Sequence, residues 1–260
     1  MEITEKNIET GSPSKASNRQ VMVSVSHVKK AFGPKVVLSD VDMSLLKGEN
    51  LVVLGKSGQG KSVLVKCMVG LLTQDAGSLK VFGEEVKDLS DEGLRQLRIR
   101  TGFLFQHGAL YDSMTVGQNL EFPLTRVLKL RNRTEIEQRV REVLEGVGLP
   151  ESIDKMPSDL SGGMRKRIGL ARTLILKPEI MLYDEPTTGL DPITSREISE
   201  LMLQMQRKYQ ISSIIITHDM ACAKITGDRL MVMNDGAFIA EDTYSELENS
   251  EDALVRSFFI

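Results

Sequence analysis

The stretch "LGKSGQGKS", Leu54 to Ser62, carries the clearest chemistry in the chain. Gly55, Gly60, Lys61 and Ser62 fit the pattern G-x-x-x-x-G-K-[ST], with Lys56, Ser57, Gly58 and Gln59 between them. Glycines let successive backbone N–H groups curl around a phosphate with no Cβ in the way. Lys61 puts a point charge on the β and γ phosphates, and Ser62 offers a hydroxyl to Mg²⁺. A helix that follows would aim its positive end at the same anion. The bland reading is a Gly-rich turn, but an apolar strand before it and a helical pattern after it favour the phosphate cradle. Such a site needs a second acidic group, which "IMLYDEP" supplies. A buried strand from Ile180 to Tyr183 places Asp184 to hold Mg²⁺, usually through water. Glu185, one residue on, can polarise an attacking water. Alone, a strand-end acid reads equally well as a turn cap.

The stretch "DLSGGMRKRIGLAR", Asp159 to Arg172, opens a basic, apolar-periodic helix on Ser-Gly-Gly. A glycine-rich helix start leaves backbone N–H groups bare, which is an anion site. Ser161 also serves as an ordinary N-cap. The run Arg165, Lys166, Arg167 reads mainly as a solvated helix face, with help to contacts between subunits as the alternative.

The elements that must position these groups alternate. "VMVSVSHV" and "VDMSLL" alternate as strands on either side of the turn-like "FGPK". "NLVVLG", "EIMLY" and "SSIIIT" are short apolar runs, as in strands buried on both faces. "SLKVFG" and "TGFLFQ" read as further strands, and "RLMVMNDGAFIAE" as a hairpin turning at Asp235-Gly236. Helices are predicted over "KSVLVKCMVGLL", with Leu64, Met68 and Leu71 on one side, and over "REISELMLQMQRKY". Two more are predicted over "RTEIEQRVREVLEGVGL", with the stripe Ile136, Val140, Val143, Leu144 and Val147, and from Gly163 to Leu176. Strands alternating with helices imply an α/β fold with a mostly parallel sheet. The early alternating strands suggest an antiparallel annex, and the helical middle suggests an insertion.

The chain has 260 residues, enough for one large domain with an inserted subdomain. A net charge of -3 gives no basic field that would argue for nucleic acid. Cys67 and Cys222 are far apart, form no CxxC and read as packed helix thiols, which suits a reducing cytosol. The polar first twenty residues show no apolar signal region and read as a mobile tail, residues 1–20. No eighteen-residue apolar run is present to span a membrane. His27 is expected on a strand and His107 in a loop, both structural.

The phosphate loop, "LSGG", "DEP" and the later "THD", in this order, resemble the nucleotide-binding subunits of ABC transporters over nearly the whole chain from Val21 onward. The resemblance implies a P-loop NTPase (RecA-like) core, an antiparallel β-subdomain, a helical subdomain inserted at about residues 107–162 and a C-terminal segment at about 243–260. It implies that Ser161, Gly162 and Gly163, with Met164 beside them, grip the γ-phosphate of ATP bound to a second copy in a homodimer. Phe32 takes the place of the aromatic that stacks on adenine, and Gln106 that of a glutamine contacting Mg²⁺ and water. Asp191 in "TTGLDP" takes the place of an aspartate crossing between subunits, and His218 that of a histidine touching the γ-phosphate. Met164 departs from the commoner "LSGGQ". With "FQHGALYDSMTV" and "THDM" it resembles the branch of ATPases that serve MCE-type lipid transporters, including the maintenance-of-lipid-asymmetry system. That branch implies an integral-membrane permease, an MCE-domain lipid carrier, in some systems a small STAS-domain subunit, and a place on the cytoplasmic face of the inner membrane. The rivals are the same motor on an amino-acid or other small-solute importer, and a soluble cassette ATPase of repair or translation.

Overall fold

The computed structural model describes residues 19–106 and 108–259. The predicted N-terminal tail therefore lies almost wholly outside the described residues, as does His107. The strands are β1 (Val21–Phe32), β2 (Lys35–Leu46), β3 (Asn50–Leu54), β4 (Ala76–Val81), β5 (Glu84–Glu85), β6 (Thr101–Leu104), β7 (Ile180–Asp184), β8 (Ser212–Thr217), β9 (Arg229–Asn234) and β10 (Ala237–Asp242). The helices are α1 (Lys61–Met68), α2 (Asp91–Arg100), α3 (Val116–Arg126), α4 (Arg133–Gly146), α5 (Gly162–Leu174), α6 (Pro192–Tyr209), α7 (Met220–Thr226), α8 (Tyr244–Glu248) and α9 (Ala253–Arg256).

Among the described residues the strands form one sheet in the order β5-β4-β1-β2-β10-β9-β3-β8-β7-β6. The stretch from β9 to β6 is parallel throughout. β1, β2, β4 and β5 pair antiparallel, as the alternating sequence requires. In the parallel core, alternate residues feed two separate apolar clusters. Leu51, Val53, Leu182, Ile214 and Ile216 pack with α1 and the annex. Val52, Leu54, Met181, Tyr183 and Ile215 pack with the stripe of α4 and with α3, α5, α6 and α7. Burial on both faces is why these strands read as unbroken apolar runs.

Two expectations change. α1 stops at Met68, so Leu71 lies beyond the helix and is 51% exposed; Gly70, at φ +64, turns the chain out of the helix. Lys166 is not on a solvated face: it is buried, although Arg165 beside it is exposed. The 235–236 turn is observed, with Asp235 at φ 48 and Gly236 at φ 75. His27 lies on β1, exposed, at φ 51 with its Nδ1 3.1 Å from Asp40. Cys67 and Cys222 are buried on α1 and α7, and burial pushes both thiols up to about 11. The C-terminal segment folds back: Phe259 meets Tyr244 edge-on at 5.2 Å between ring centroids, and both pack on the core.

Candidate functional site

Four neighbouring parallel strands deliver the site. β3, β8, β7 and β6 lie side by side, and each runs at its carboxyl end into one group of candidate residues. β3 leads into Gly55–Ser62, β8 into His218, β7 into Asp184 and Glu185, and β6 into Gln106. The strands are in register, with Leu54 opposite Thr217, Ile216 opposite Asp184 and Tyr183 opposite Leu104. The carboxyl edge of an open α/β sheet is where ligands bind. Here it opens into a cavity of about 500 Å³. Its walls include Phe32, Ser57, Gly58, Gln59, Gly60, Lys61, Ser62, Gln106, Asp184, Glu185 and His218.

The loop between β3 and α1 needs its glycines. Gly58 and Gly60 have φ +83 and +103, and a Cβ on Gly60 would lie 2.6 Å from the Val37 carbonyl. Lys61 is 6% exposed and curls back, donating to the carbonyls of Gly55 (2.5 Å) and Lys56 (3.0 Å). Burial pulls its pKa down, while Glu185 and Asp184 pull it up. Gln59 accepts from the Asp235 N–H, so the loop is moored to the β9–β10 turn. Ser62 Oγ donates to Asp184 Oδ1 at 3.0 Å. A hydroxyl and a carboxylate at this distance form the hard-oxygen donor set that suits Mg²⁺.

Glu185 sits at φ 52, and its N–H donates to the Ile216 carbonyl. Its Oε2 lies 2.8 Å from His218 Nδ1 and accepts from Thr188 Oγ1 at 3.2 Å. Phe32 is 46% exposed and lines the cavity, with Lys30 Nζ over its ring at 5.4 Å from the centroid. Ser161, Gly162, Gly163, Met164 and Asp191 do not line this cavity. Ser161 caps α5 by accepting from the Met164 N–H (3.2 Å), and Asp191 caps α6 by accepting from Ile193 and Thr194. Gly163 packs so closely that a Cβ would meet Thr194 at 2.6 Å. Gly55 and Lys56 serve through the carbonyls that hold Lys61. Lys35, Val37 and Thr188 also line the cavity. None belongs to a distinctive sequence pattern except Thr188, within "PTTGLD".

A glycine-rich loop around a buried lysine, a hydroxyl–carboxylate pair and a carboxylate–histidine couple share one cavity, a set of groups whose chemistry suits a nucleoside triphosphate. The ABC transporter family model matches residues 38–188, which contain Gly55–Ser62, the "LSGG" stretch and the carboxylates Asp184 and Glu185. The chain belongs to the ABC transporter family. It is an ATPase, the motor subunit of such a transporter. Among curated relatives, the methionine import ATP-binding protein MetN of Campylobacter jejuni is 36% identical over 91% of this chain and 75% of its own length. The probable ribonucleotide transport ATP-binding protein mkl of Mycobacterium leprae is 37% identical over 92% of this chain and 68% of its own. The ABC subunit cbiO1 of Clostridium perfringens, part of the cbiONQ complex, superposes with a TM-score of 0.81 at 27% identity, covering 92% of this chain and 99% of that one. An ATP-binding cassette solved as a post-hydrolysis dimer with ADP and Pi gives 0.77 at 29% identity, covering 86% and 99%.

Asp184 carries a burden within this cavity. Burial raises its pKa, with the nearby Glu185 charge adding to this, against the Ser62 hydrogen bond and Lys66 and Lys61. A carboxyl with a raised native pKa costs nothing below its ordinary value and destabilises as pH rises through the native value. Asp184→Asn should therefore melt no lower than wild type at about pH 7, with any gain shrinking at acid pH, while hydrolysis collapses with the cation ligand. Thermal melts across pH check the sign; a lower melting temperature confined to neutral pH would contradict it.

Proposed function

We propose that two copies of this chain close head-to-tail on two ATP molecules and drive phospholipid transport between membranes. The observation that carries the dimer is the division of the motifs: Lys61, Asp184, Glu185, Gln106 and His218 share one cavity, while Ser161 to Met164 start a helix outside it. A second copy can supply those bare N–H groups to the far side of the γ-phosphate. The dimeric cassette among the structural neighbours supports this arrangement.

In this reading Lys61 leaves the Gly55 and Lys56 carbonyls for the phosphates, and Phe32 stacks on the base. Ser62 and Asp184, with Gln106 nearby, would hold Mg²⁺, which would supply positive charge against the phosphates. Glu185 orients and polarises the water, and His218 holds Glu185 and meets the γ-phosphate. Asp191 crosses between the copies. A groove of about 370 Å³ beside Gln106, walled by Phe103, Phe105, Tyr111 and Phe122 with Arg98 and Arg172, supports docking of a permease segment there. The helices α3 and α4, with the turns up to Leu160, would form the moving subdomain, and the α8–α9 segment its own C-terminal unit. Through the permease the chain would sit on the cytoplasmic face of the inner membrane; among the described residues no helix is long and apolar enough to cross one.

The lipid reading rests on Met164, "FQHGALYDSMTV" and "THDM". It implies an MCE-domain carrier and, in some systems, a STAS-domain subunit, with no nucleic acid. The second reading, a small-solute importer, is favoured by the methionine-import relative. Purifying the tagged chain from membranes and identifying its partners separates them. A permease with an MCE protein is the expected result; an amino-acid permease would replace the lipid reading, and ribosomes or DNA would replace both.

Met164 itself packs against the core and contributes its N–H to the Ser161 cap. Met164→Gln should keep substantial ATPase activity, whereas Ser161→Arg should abolish hydrolysis with ATP binding intact. Turnover and nucleotide titration check this, and equal loss in both variants would give the methionine a specific role.

A further inference from the structure

Lys166 is the inward-facing member of the "RKR" run on α5. Arg165 is exposed, and Arg167 turns to Glu197 at 3.0 Å, whereas Lys166 is 7% exposed. Its Nζ donates to two backbone carbonyls, Gln106 at 2.5 Å and Glu185 at 3.3 Å. Burying an ammonium costs several kcal/mol unless it is well partnered, so its place here calls for a function beyond packing. The carbonyls it meets belong to two cavity residues that lie just beyond the ends of β6 and β7. Gln106 follows β6, which ends at Leu104. Glu185 holds a left-handed φ of 52, which costs a non-glycine residue about 1 kcal/mol. Its N–H is fixed by Ile216 of β8, and its carbonyl is fixed by Lys166. Lys166 does not line the nucleotide cavity. Desolvation lowers its pKa, and the nearby Glu185 charge offsets part of this.

We propose that Lys166 is a positioning residue that ties the Gln106 loop to the backbone of Glu185, so that the two groups acting on the γ-phosphate and its water move as one. The tie starts from the helix that Ser161 caps. It therefore also makes the position of α5 a determinant of hydrolysis in the chain's own site. This rests on the roles given above to Glu185 and Gln106.

The test uses the full chain, with ATPase kinetics, binding of a trinitrophenyl-ATP probe and a thermal melt. Lys166→Met keeps length and removes donor and charge. It should lower kcat by roughly tenfold to a hundredfold, as misplacement of a catalytic group does, with KM and probe affinity close to wild type. Lys166→Arg, which keeps donors and charge, should recover much of the loss. A wild-type kcat for Lys166→Met would overturn the proposal. So would a kcat loss matched by weaker ATP binding and not relieved by arginine, which marks a packing defect. If the methionine variant does not fold, Lys166→Gln carries the same test: its shorter amide cannot span both carbonyls, so kcat should fall at unchanged KM, and a wild-type kcat overturns the proposal. A wild-type chain that fails to bind the probe would instead remove the site assignment on which the inference stands.

Discussion

Lys61→Ala should lose most of its ATP affinity and all measurable hydrolysis. Lys61 is the cation proposed to meet the phosphates, and a charge-assisted contact to phosphate contributes about 1.5–3 kcal/mol, or roughly tenfold to over a hundredfold in affinity. Hydrolysis falls further, because negative charge shifts within the triphosphate as the γ-phosphoryl group transfers. Stability is not the cause. Lys61 is a buried ammonium held by the Gly55 and Lys56 carbonyls, so alanine removes a desolvated charge together with those two bonds. The variant should melt within a few degrees of wild type. Nucleotide titration and steady-state turnover measure the effect, and wild-type turnover would remove the cradle assignment.

Glu185→Gln should bind ATP as wild type does and hydrolyse it roughly 10²- to 10⁴-fold more slowly, the usual contribution of a positioned general base. The substitution keeps the size of the side chain, the left-handed backbone and an oxygen able to accept from Thr188 at 3.2 Å. It removes the carboxylate charge that faces His218 Nδ1 at 2.8 Å, the charge proposed to polarise the attacking water. A loss of kcat with KM preserved assigns Glu185 to the chemical step. A matched loss of affinity would assign it to binding instead.

The central strands were legible because burial on both faces leaves one solution, an apolar run, at Leu51–Leu54, Ile180–Tyr183 and Ser212–Thr217. The cavity residues were legible because phosphate and magnesium chemistry admits few residue types at Lys61, Ser62 and Asp184. α2 was not read, since "DEGLRQLRIR" buries only Leu97 and shows little apolar stripe. α1 was read too long because Leu71 continues its periodicity after Gly70 has ended the helix. Lys166 was misread because three consecutive basic residues look alike in sequence. Which of them turns inward depends on where the Gln106 loop and the end of β7 sit against α5, and that is tertiary information.

The head-to-tail pair is tested most directly by light scattering of the purified Glu185→Gln chain with MgATP, with MgADP and without nucleotide. A γ-phosphate held by Lys61 of one copy and Ser161 of another links dimerisation to nucleotide state by mass action. The account predicts a dimer with MgATP and monomers in the other two samples. It also predicts that adding Ser161→Arg weakens the MgATP dimer, because the second copy's contact is blocked. A dimer of equal strength in all three samples, unchanged in the double variant, would contradict the sandwich and place the association on another surface.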